Sequence, residues 1–398
     1  MANCEMSKWQ LSNFFVRNSS FLIAGFPLAS VASHPAMETQ GPTAQLKNSL
    51  RDMESTRSRA ICKRDCAKFF ACDNPRCRTL SFGMALIRQA FVLGAGLGTR
   101  LRPLTDQMPK PLVPIFQKPL ITFAFDHLIE AGCEKFFVNT HHAPKLFAKA
   151  FPGSTYRERR IEFRHEPELL ETGGGIKNAE SWLGSEPFIV YSGDILTDVD
   201  VAPLIDEHFR AGNDVTLALR ETGLGAGVVL RDGRIVEIRN KKAPPGDYDY
   251  ANISIWQPKI FERIPPATKI SFIPILVQWI RQNGRIGGVV LSEKKWFNIS
   301  TRADYLDVHR VIAEQHWKPA YVKASDWPVQ IAPNATVSAT ARLAGFYSIG
   351  AECSVGDNAT IEDTIVWPGA KIASGSHLRN CIVRSQQKVE GTMHDVDI

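Results

Sequence analysis

Glycine recurs at Gly94, Gly96 and Gly98, directly after the short apolar run Ala90-Phe91-Val92-Leu93. A buried strand that breaks into glycines brings bare backbone N–H groups to its carboxyl end, close enough to cradle an anion. Arg100 and Lys110 add two fixed positive charges within reach of the same turn. An arginine fork and a lysine point charge together suit a triphosphate whose charge shifts during reaction. Pro109, Pro111 and Pro114 stiffen the lysine segment. The spacing excludes two commoner phosphate loops. A dinucleotide-binding G-x-G-x-x-G would need glycine where Thr99 stands, and a P-loop would need a following G-K-[ST].

The run from Gly94 to Thr105, followed by Pro109-Lys110-Pro111, resembles the signature G-x-G-[TS]-R-x-x-P-L-T…P-K-P of the sugar-1-phosphate nucleotidylyltransferases. The resemblance implies a reaction: an NTP and a sugar 1-phosphate give an NDP-sugar and pyrophosphate. It also implies that Gly94, Ala95, Gly96, Gly98 and Thr99 wrap the nucleotide phosphates. Arg100 and Lys110 would neutralise the triphosphate and the leaving pyrophosphate.

Further matches follow in the family's order. Glu166 precedes Leu170-Glu-Thr-Gly-Gly-Gly-Ile176, similar to a segment that lines the base and sugar, which implicates Thr172, Gly173 and Gly174. Glycines there would let backbone approach a planar ring. On residue types alone the same stretch also reads as a helix start capped by Thr172. Asp194, in Tyr191-Ser-Gly-Asp194, looks like the family's aspartate that binds Mg²⁺, the implied cofactor. Trp296-Phe-Asn-Ile-Ser-Thr301 is similar to W-x-D-I-G-T, with Asn298 in place of the second metal-binding aspartate and Ser300 in place of glycine. Lys241 or Lys242 stands near the family's sugar-phosphate lysine, without its flanking Glu and Pro. Asn252 stands where a glycine is common, with a contact to the sugar implied.

The base and sugar stay open between two pairs. L-E-T-G-G-G-I is similar to uridylyltransferases acting on N-acetylmuramate 1-phosphate, and the glycine loop with the C-terminal repeat is similar to mannose-1-phosphate guanylyltransferases. The rival reading is a catalytically weak regulatory or scaffold paralogue of the same fold. Asn298 favours it, and Arg100, Lys110 and Asp194 oppose it.

The elements that must position these residues are legible as an alternation of strand and helix patterns. Strands read at 90–93, 135–140, 160–165, 188–191 and 215–219, and helices at 120–131, 144–151, 174–183 and 202–211. Short strands follow over 228–255, then helices over 273–282 and 302–314. This predicts an α/β fold, a doubly wound Rossmann-like nucleotidyltransferase domain, with its ligand site beyond the carboxyl ends of the strands.

Branched apolar residues then recur every six positions from Ile331 through Val337, Leu343, Ile349, Val355 and Ile361. Two five-residue steps carry the pattern on through Val366, Ile372, Leu378, Val383 and Val389, with small residues four positions after most of them. A six-residue period predicts a β-solenoid with three short faces per coil. It resembles the left-handed parallel β-helix of the hexapeptide-repeat superfamily, and a homo-oligomer formed through that helix is expected. His377 is the only candidate for a hexapeptide acyltransferase histidine, and the packing role is preferred. The expected organisation is an extension over 1–83, a catalytic domain over 84–315, a linker over 316–330 and the β-helix over 331–398.

Composition mostly describes the extension. The chain of 398 residues carries a net charge of +6 and 8 cysteines. Residues 1–83 hold 11 basic and 6 acidic groups, leaving 36 and 35 elsewhere, so the body is near neutral and offers no nucleic-acid stripe. No apolar run is long enough to span a membrane, and no membrane partner is expected. Cys4, Cys62, Cys66, Cys72 and Cys77 all lie in the extension. Their spacing lacks the paired knuckles of common zinc sites. The apolar run from Phe21 to Ala32 is a weak signal-peptide pattern broken by Pro27. Translation from Met84 is the preferred account of this segment. Three scattered cysteines in the body suit a reducing, cytoplasmic setting.

Overall fold

The computed structural model describes residues 86–221, 227–239, 246–291, 294–325 and 327–398. The N-terminal extension with its cysteines, Met84, and the candidate lysines Lys241 and Lys242 lie outside the described residues.

In chain order the first strands are β1 (Gln89–Leu93), β2 (Pro114–Ile115), β3 (Lys118–Pro119), β4 (Lys135–Thr140), β5 (Thr155–Tyr156), β6 (Arg159–His165) and β7 (Phe188–Ser192). Then come β8 (Ile195–Thr197), β9 (Val215–Arg220), β10 (Val228–Arg231), β11 (Arg234–Ile238), β12 (Asp249–Trp256), β13 (Ile286–Val290) and β14 (Trp296–Asn298). The helices are α1 (Leu104–Gln107), α2 (Ile121–Glu130), α3 (Pro144–Ala150), α4 (Glu171–Asn178), α5 (Glu180–Leu183), α6 (Ala202–Arg210), α7 (Phe272–Arg281) and α8 (Arg302–Glu314).

Ten strands form one sheet in the order β10-β11-β13-β9-β12-β7-β1-β4-β6-β5. β7, β1, β4 and β6 run parallel. β1, β4 and β7 are buried along almost their whole length, as parallel strands covered on both faces must be. Alternate side chains feed two cores. Ala90, Val92 and Tyr191 pack with residues of α2, α3 and α6, while Phe91, Phe137 and Val190 pack with residues of α4, α5 and α7. Helices thus cover both faces, but the sheet is mixed. β12 runs antiparallel to both β7 and β9. This reversal brings the start of β12 to the edge where β1, β7 and β9 end. The expected helix 174–183 starts earlier and breaks at Ala179 into α4 and α5.

Beyond α8 the chain forms ladders of short parallel strands. Ile331, Ile349, Val366 and Val383 align in one ladder, Val337, Val355, Ile372 and Val389 in a second, and Leu343, Ile361 and Leu378 in a third. Every position of the six-residue pattern is therefore in register, and most of these side chains share one core with Cys353, Ala359 and Ala370.

These ladders grip the segment that follows Lys110. The hairpin joining β2 to β3 turns through Phe116 and Gln117, both with positive φ (45° and 69°). Such a turn favours Asn and Gly, and a bulky residue there costs about 1–3 kcal/mol. Its surroundings hold it. The Gln117 side-chain amide donates to Ser348 Oγ (3.0 Å) and Ile349 O (3.1 Å), and Phe116 is fully buried beside Trp327 and His309. Tyr305 Oη–H donates to Pro114 O (2.6 Å) and accepts from Trp367 Nε1 (3.0 Å). Arg302, at the start of α8, pairs with Asp397 (2.6 Å).

His309 makes this junction acid-sensitive. Its Nδ1–H donates to Tyr305 O (2.8 Å), and its Nε2 accepts from the Phe116 amide (3.4 Å), so the ring is neutral. Burial pushes its pKa down to about 4, against the Tyr305 hydrogen bond that raises it. The buried His127 and His208 are likewise held down to about 4 by desolvation. Because these values lie below that of an unfolded histidine, the unfolded chain binds more protons between them. Stability is full above pH ~6.5 and is lost as pH falls toward 4. His309 alone is expected to remove about 2 kcal/mol between pH 7 and pH 5. Urea unfolding at the two pH values checks this, and a pH-independent midpoint would contradict it.

Candidate active site

Two glycines shape the turn after β1 and a third leaves it open. A Cβ on Gly94 would stand 2.7 Å from Asn139 O, so no larger residue fits where β1 meets β4. The Gly94 amide donates to Asn139 Oδ1 (2.9 Å). Gly98 has φ 62°, and a Cβ there would meet the Thr105 methyl at 2.8 Å. Thr105 Oγ1–H donates to Gly98 O (2.9 Å) and closes the turn. Between them, Gly96 faces open space. Among the described residues, no acceptor takes the backbone amides from Ala95 to Arg100. Gly96, Thr99 and Arg100 are exposed, and Ala95 is buried. The turn is therefore pinned at Gly94 and Gly98 and presents free N–H groups between them, which is how a backbone takes up phosphate oxygens.

Lys110 lies directly behind this turn, its Cβ near Gly98. It opens a short 3-10 turn between Pro109 and Pro111 and is only 7% exposed. Its Nζ donates to Asp194 Oδ2 (2.6 Å), Ser300 Oγ (3.3 Å) and Asn298 Oδ1 (3.4 Å). Ser300 Oγ–H donates to Asn298 Oδ1 (2.7 Å). The residues singled out from sequence as Lys110, Asp194 and Asn298 are thus brought together across 188 positions of chain. Ser300, noted only for replacing a glycine, is a fourth member.

Two junctions position this cluster. Gly193 N donates to Leu93 O (2.9 Å), and a Cβ on Gly193 would stand 2.7 Å from that oxygen, so the ends of β7 and β1 touch. β14 pairs with β8 so that Asn298 lies opposite Ile195, and Ile299 N donates to Asp194 O (3.1 Å). A capping box between Thr301 and Asp304 then starts α8.

Other candidates serve the walls of the site. Glu166 is 1% exposed. Its Oε1 accepts from Asn139 Nδ2 (2.9 Å) and its Oε2 from the Leu170 amide (3.1 Å). Burial pushes its pKa up, against those two hydrogen bonds. Asn139 therefore links Glu166 to the Gly94 amide, and Glu166 braces the loop from within the wall. Sequence reading missed Asn139, because only the pairing of β4 with β1 and β6 brings it there.

The reading of Thr172 as a helix cap requires a correction. Thr172 does not cap its own helix: its hydroxyl accepts from Phe272 N (3.1 Å) at the start of α7. The Gly173 and Gly174 amides both donate to Ile270 O (2.8 and 3.0 Å). A Cβ on Gly173 would lie 2.8 Å from that same oxygen, so glycine is needed here for close packing against the 268–272 segment. Asn252 sits in a bulge of β12 with φ 64° and is half-buried, next to Ala251, whose carbonyl accepts from Trp296 Nε1 (3.0 Å).

A metal is testable on the donor set. Among the described residues, no three or more His, Cys, Asp or Glu side chains gather as a metal site. What converges is one carboxylate, one amide oxygen and one hydroxyl. Mg²⁺ commonly takes one or two carboxylates and completes its shell with substrate phosphates and water. The set fits a Mg²⁺ that arrives with a nucleotide and does not fit a cage made by protein alone.

The family described as "Nucleotidyl transferase" matches residues 89–315, the stretch that holds this whole cluster. The chain belongs to that family. Within that stretch the chain joins a glycine loop, a lysine and an aspartate at one sheet edge. A mannose-1-phosphate guanylyltransferase of Mycobacterium tuberculosis is 29% identical over 72% of this chain and 81% of its own length. An N-acetylmuramate alpha-1-phosphate uridylyltransferase of Neisseria meningitidis is 31% identical over 50% of this chain and 88% of its own. A crystal structure of a Bacillus anthracis protein described as a glucose-1-phosphate thymidylyltransferase shares the fold, with TM-score 0.50 and 20% identity over 55% of this chain and 92% of that one.

Proposed function

We propose that this nucleotidyl transferase is a sugar-1-phosphate nucleotidylyltransferase, making an NDP-sugar and pyrophosphate from an NTP and a sugar 1-phosphate. The observation that carries the reading is the convergence of Lys110, Asp194 and Asn298 beside a turn of free amides. The sugar phosphate oxygen attacks the α-phosphorus in line. That oxygen is already anionic, so no protein nucleophile and no general base is assigned. The amides from Gly96 to Arg100 hold the triphosphate. Lys110, rigid between two prolines and close to Gly98, faces the charge that builds on the departing pyrophosphate. Arg100, exposed at the loop's end, closes on the outer phosphates. Asp194 and Asn298 would hold Mg²⁺, which when bound neutralises charge on the phosphate oxygens.

A substitution tests the metal assignment. Asn298→Asp adds a second carboxylate and is expected to lower the Mg²⁺ concentration for half-maximal rate by about tenfold. An unchanged Mg²⁺ titration would remove Asn298 from the metal site.

The relatives' substrates support UTP or GTP as nucleotide and mannose 1-phosphate or N-acetylmuramate 1-phosphate as sugar. The ladder register supports a parallel β-helix over 331–398; its left hand and its service as a homo-oligomer contact rest on the resemblance to hexapeptide-repeat proteins. Buried free Cys133, Cys353 and Cys381 suit a cytoplasmic setting. No helix among the described residues is long and apolar enough to cross a membrane.

The test is product analysis by mass spectrometry. The protein is incubated with Mg²⁺, each of UTP, GTP, CTP, dTTP and ATP, and each of the two sugar 1-phosphates. One pair is expected to give its NDP-sugar. No NDP-sugar from any pair would favour the catalytically weak paralogue.

A further inference from the structure

Arg220 ends β9, two strands from β7 in the sheet and on the same edge as Asp194. That places it about 10 Å from the end of β7, at roughly 4.8 Å per strand. Its guanidinium lies 3.8 Å from the ring centroid of Trp296. The indole is itself fixed, because its Nε1–H donates to Ala251 O (3.0 Å) beside the Asn252 bulge. Trp296 is two residues from Asn298 on β14, about 7 Å along the strand. Arg220 thus lies on the side of β7 opposite β1, the strand that leads into the glycine loop.

Three features mark this arginine as more than a packing group. Its Nε is buried and has no hydrogen-bond partner among the described residues. It makes no ion pair with them, although Asp249 is close enough to favour its charged form against the desolvation that opposes it. The guanidinium sits over the indole, and its fork of planar edge donors suits an anionic oxygen group. A desolvated cation with unused donors is costly unless an anion completes it.

Resting on the proposed reaction, we infer that Arg220, held over Trp296, is a binding residue for the phosphate of the sugar 1-phosphate. The reaction brings two anions together. The loop amides, Arg100 and Lys110 serve the first, and Arg220 supplies a separate cation for the second. Nothing in the sequence pattern singles it out, because it lies in no motif.

The test compares wild type with Arg220→Gln, Arg220→Lys and Trp296→Leu. Binding of mannose 1-phosphate and of N-acetylmuramate 1-phosphate is measured by calorimetry, with an α,β-methylene NTP present to prevent turnover. Steady-state KM values are read in parallel. Arg220→Gln is expected to weaken sugar 1-phosphate binding about 10- to 100-fold, the range of a hydrogen bond to a charged group, with NTP binding within about twofold. Arg220→Lys keeps the charge without the fork and should fall between. Trp296→Leu should move in the same direction, through loss of the platform. Thermal melting confirms that each variant is folded, and Arg220→Lys is read alone if Arg220→Gln is not. Equal weakening of both substrates, a lower kcat with unchanged binding, or no change would overturn the inference while the proposed reaction stands. Wild type that binds no sugar 1-phosphate would overturn both.

Discussion

Replacing Lys110 with alanine is expected to reduce kcat by about 100- to 1000-fold, the usual effect of removing one preorganised charge from a transition state, with KM values nearly unchanged. Lys110 is almost buried, its backbone is stiffened by Pro109 and Pro111, and its ammonium already makes three polar contacts in the resting site. It therefore adds little ordering cost when charge develops on the departing pyrophosphate. A residue used mainly for ground-state binding would raise KM instead. Pyrophosphate release under saturating substrates separates the two. A kcat within threefold of wild type would remove Lys110 from the chemistry.

Asp194→Asn is expected to lose about as much rate, by a different route. The change keeps the shape of the side chain and its place after β7. It removes the only carboxylate that Lys110 pairs with among the described residues. Both the ion pair with Lys110 and the hard anionic ligand for Mg²⁺ go with it. A Mg²⁺ titration tells the variants apart. Asp194→Asn should need at least about tenfold more Mg²⁺ for half its maximal rate. Lys110→Ala should need no more than wild type, because it frees the Asp194 carboxylate from a competing cation. Equal Mg²⁺ requirements in both variants would contradict the assignment of Asp194.

The features readable in sequence were those written in local spacing. β1 stood out because a strand buried on both faces is a continuous apolar run that ends where the glycines begin. The C-terminal ladders stood out because a coil of three short faces repeats its interior residue every six positions. What stayed hidden depends on partners distant in the chain. β12 is buried through most of its length, so no alternation announced an antiparallel strand between β7 and β9. The turn at Phe116 and Gln117 carries none of the residues its backbone prefers, since packing against the C-terminal ladders holds it.

The wall residues show the same limit. A glycine needed for ligand approach and one needed for close packing look identical in sequence. Gly96 faces open space while Gly173 meets a carbonyl. Glu166 stands out in sequence by its place before the L-E-T-G-G-G-I segment, but its burial and its bond to Asn139 become visible only with the strand order.

The proposed reaction is a direct displacement, in which the sugar phosphate attacks the nucleotide and no protein group bonds to it. The most direct test is rapid-quench measurement of pyrophosphate from the preferred NTP and Mg²⁺, with and without the sugar 1-phosphate. Pyrophosphate is predicted only when both substrates are present, in step with NDP-sugar. A burst of one pyrophosphate per protein from NTP alone would contradict the account, because it would require a nucleotidyl group bound to the chain.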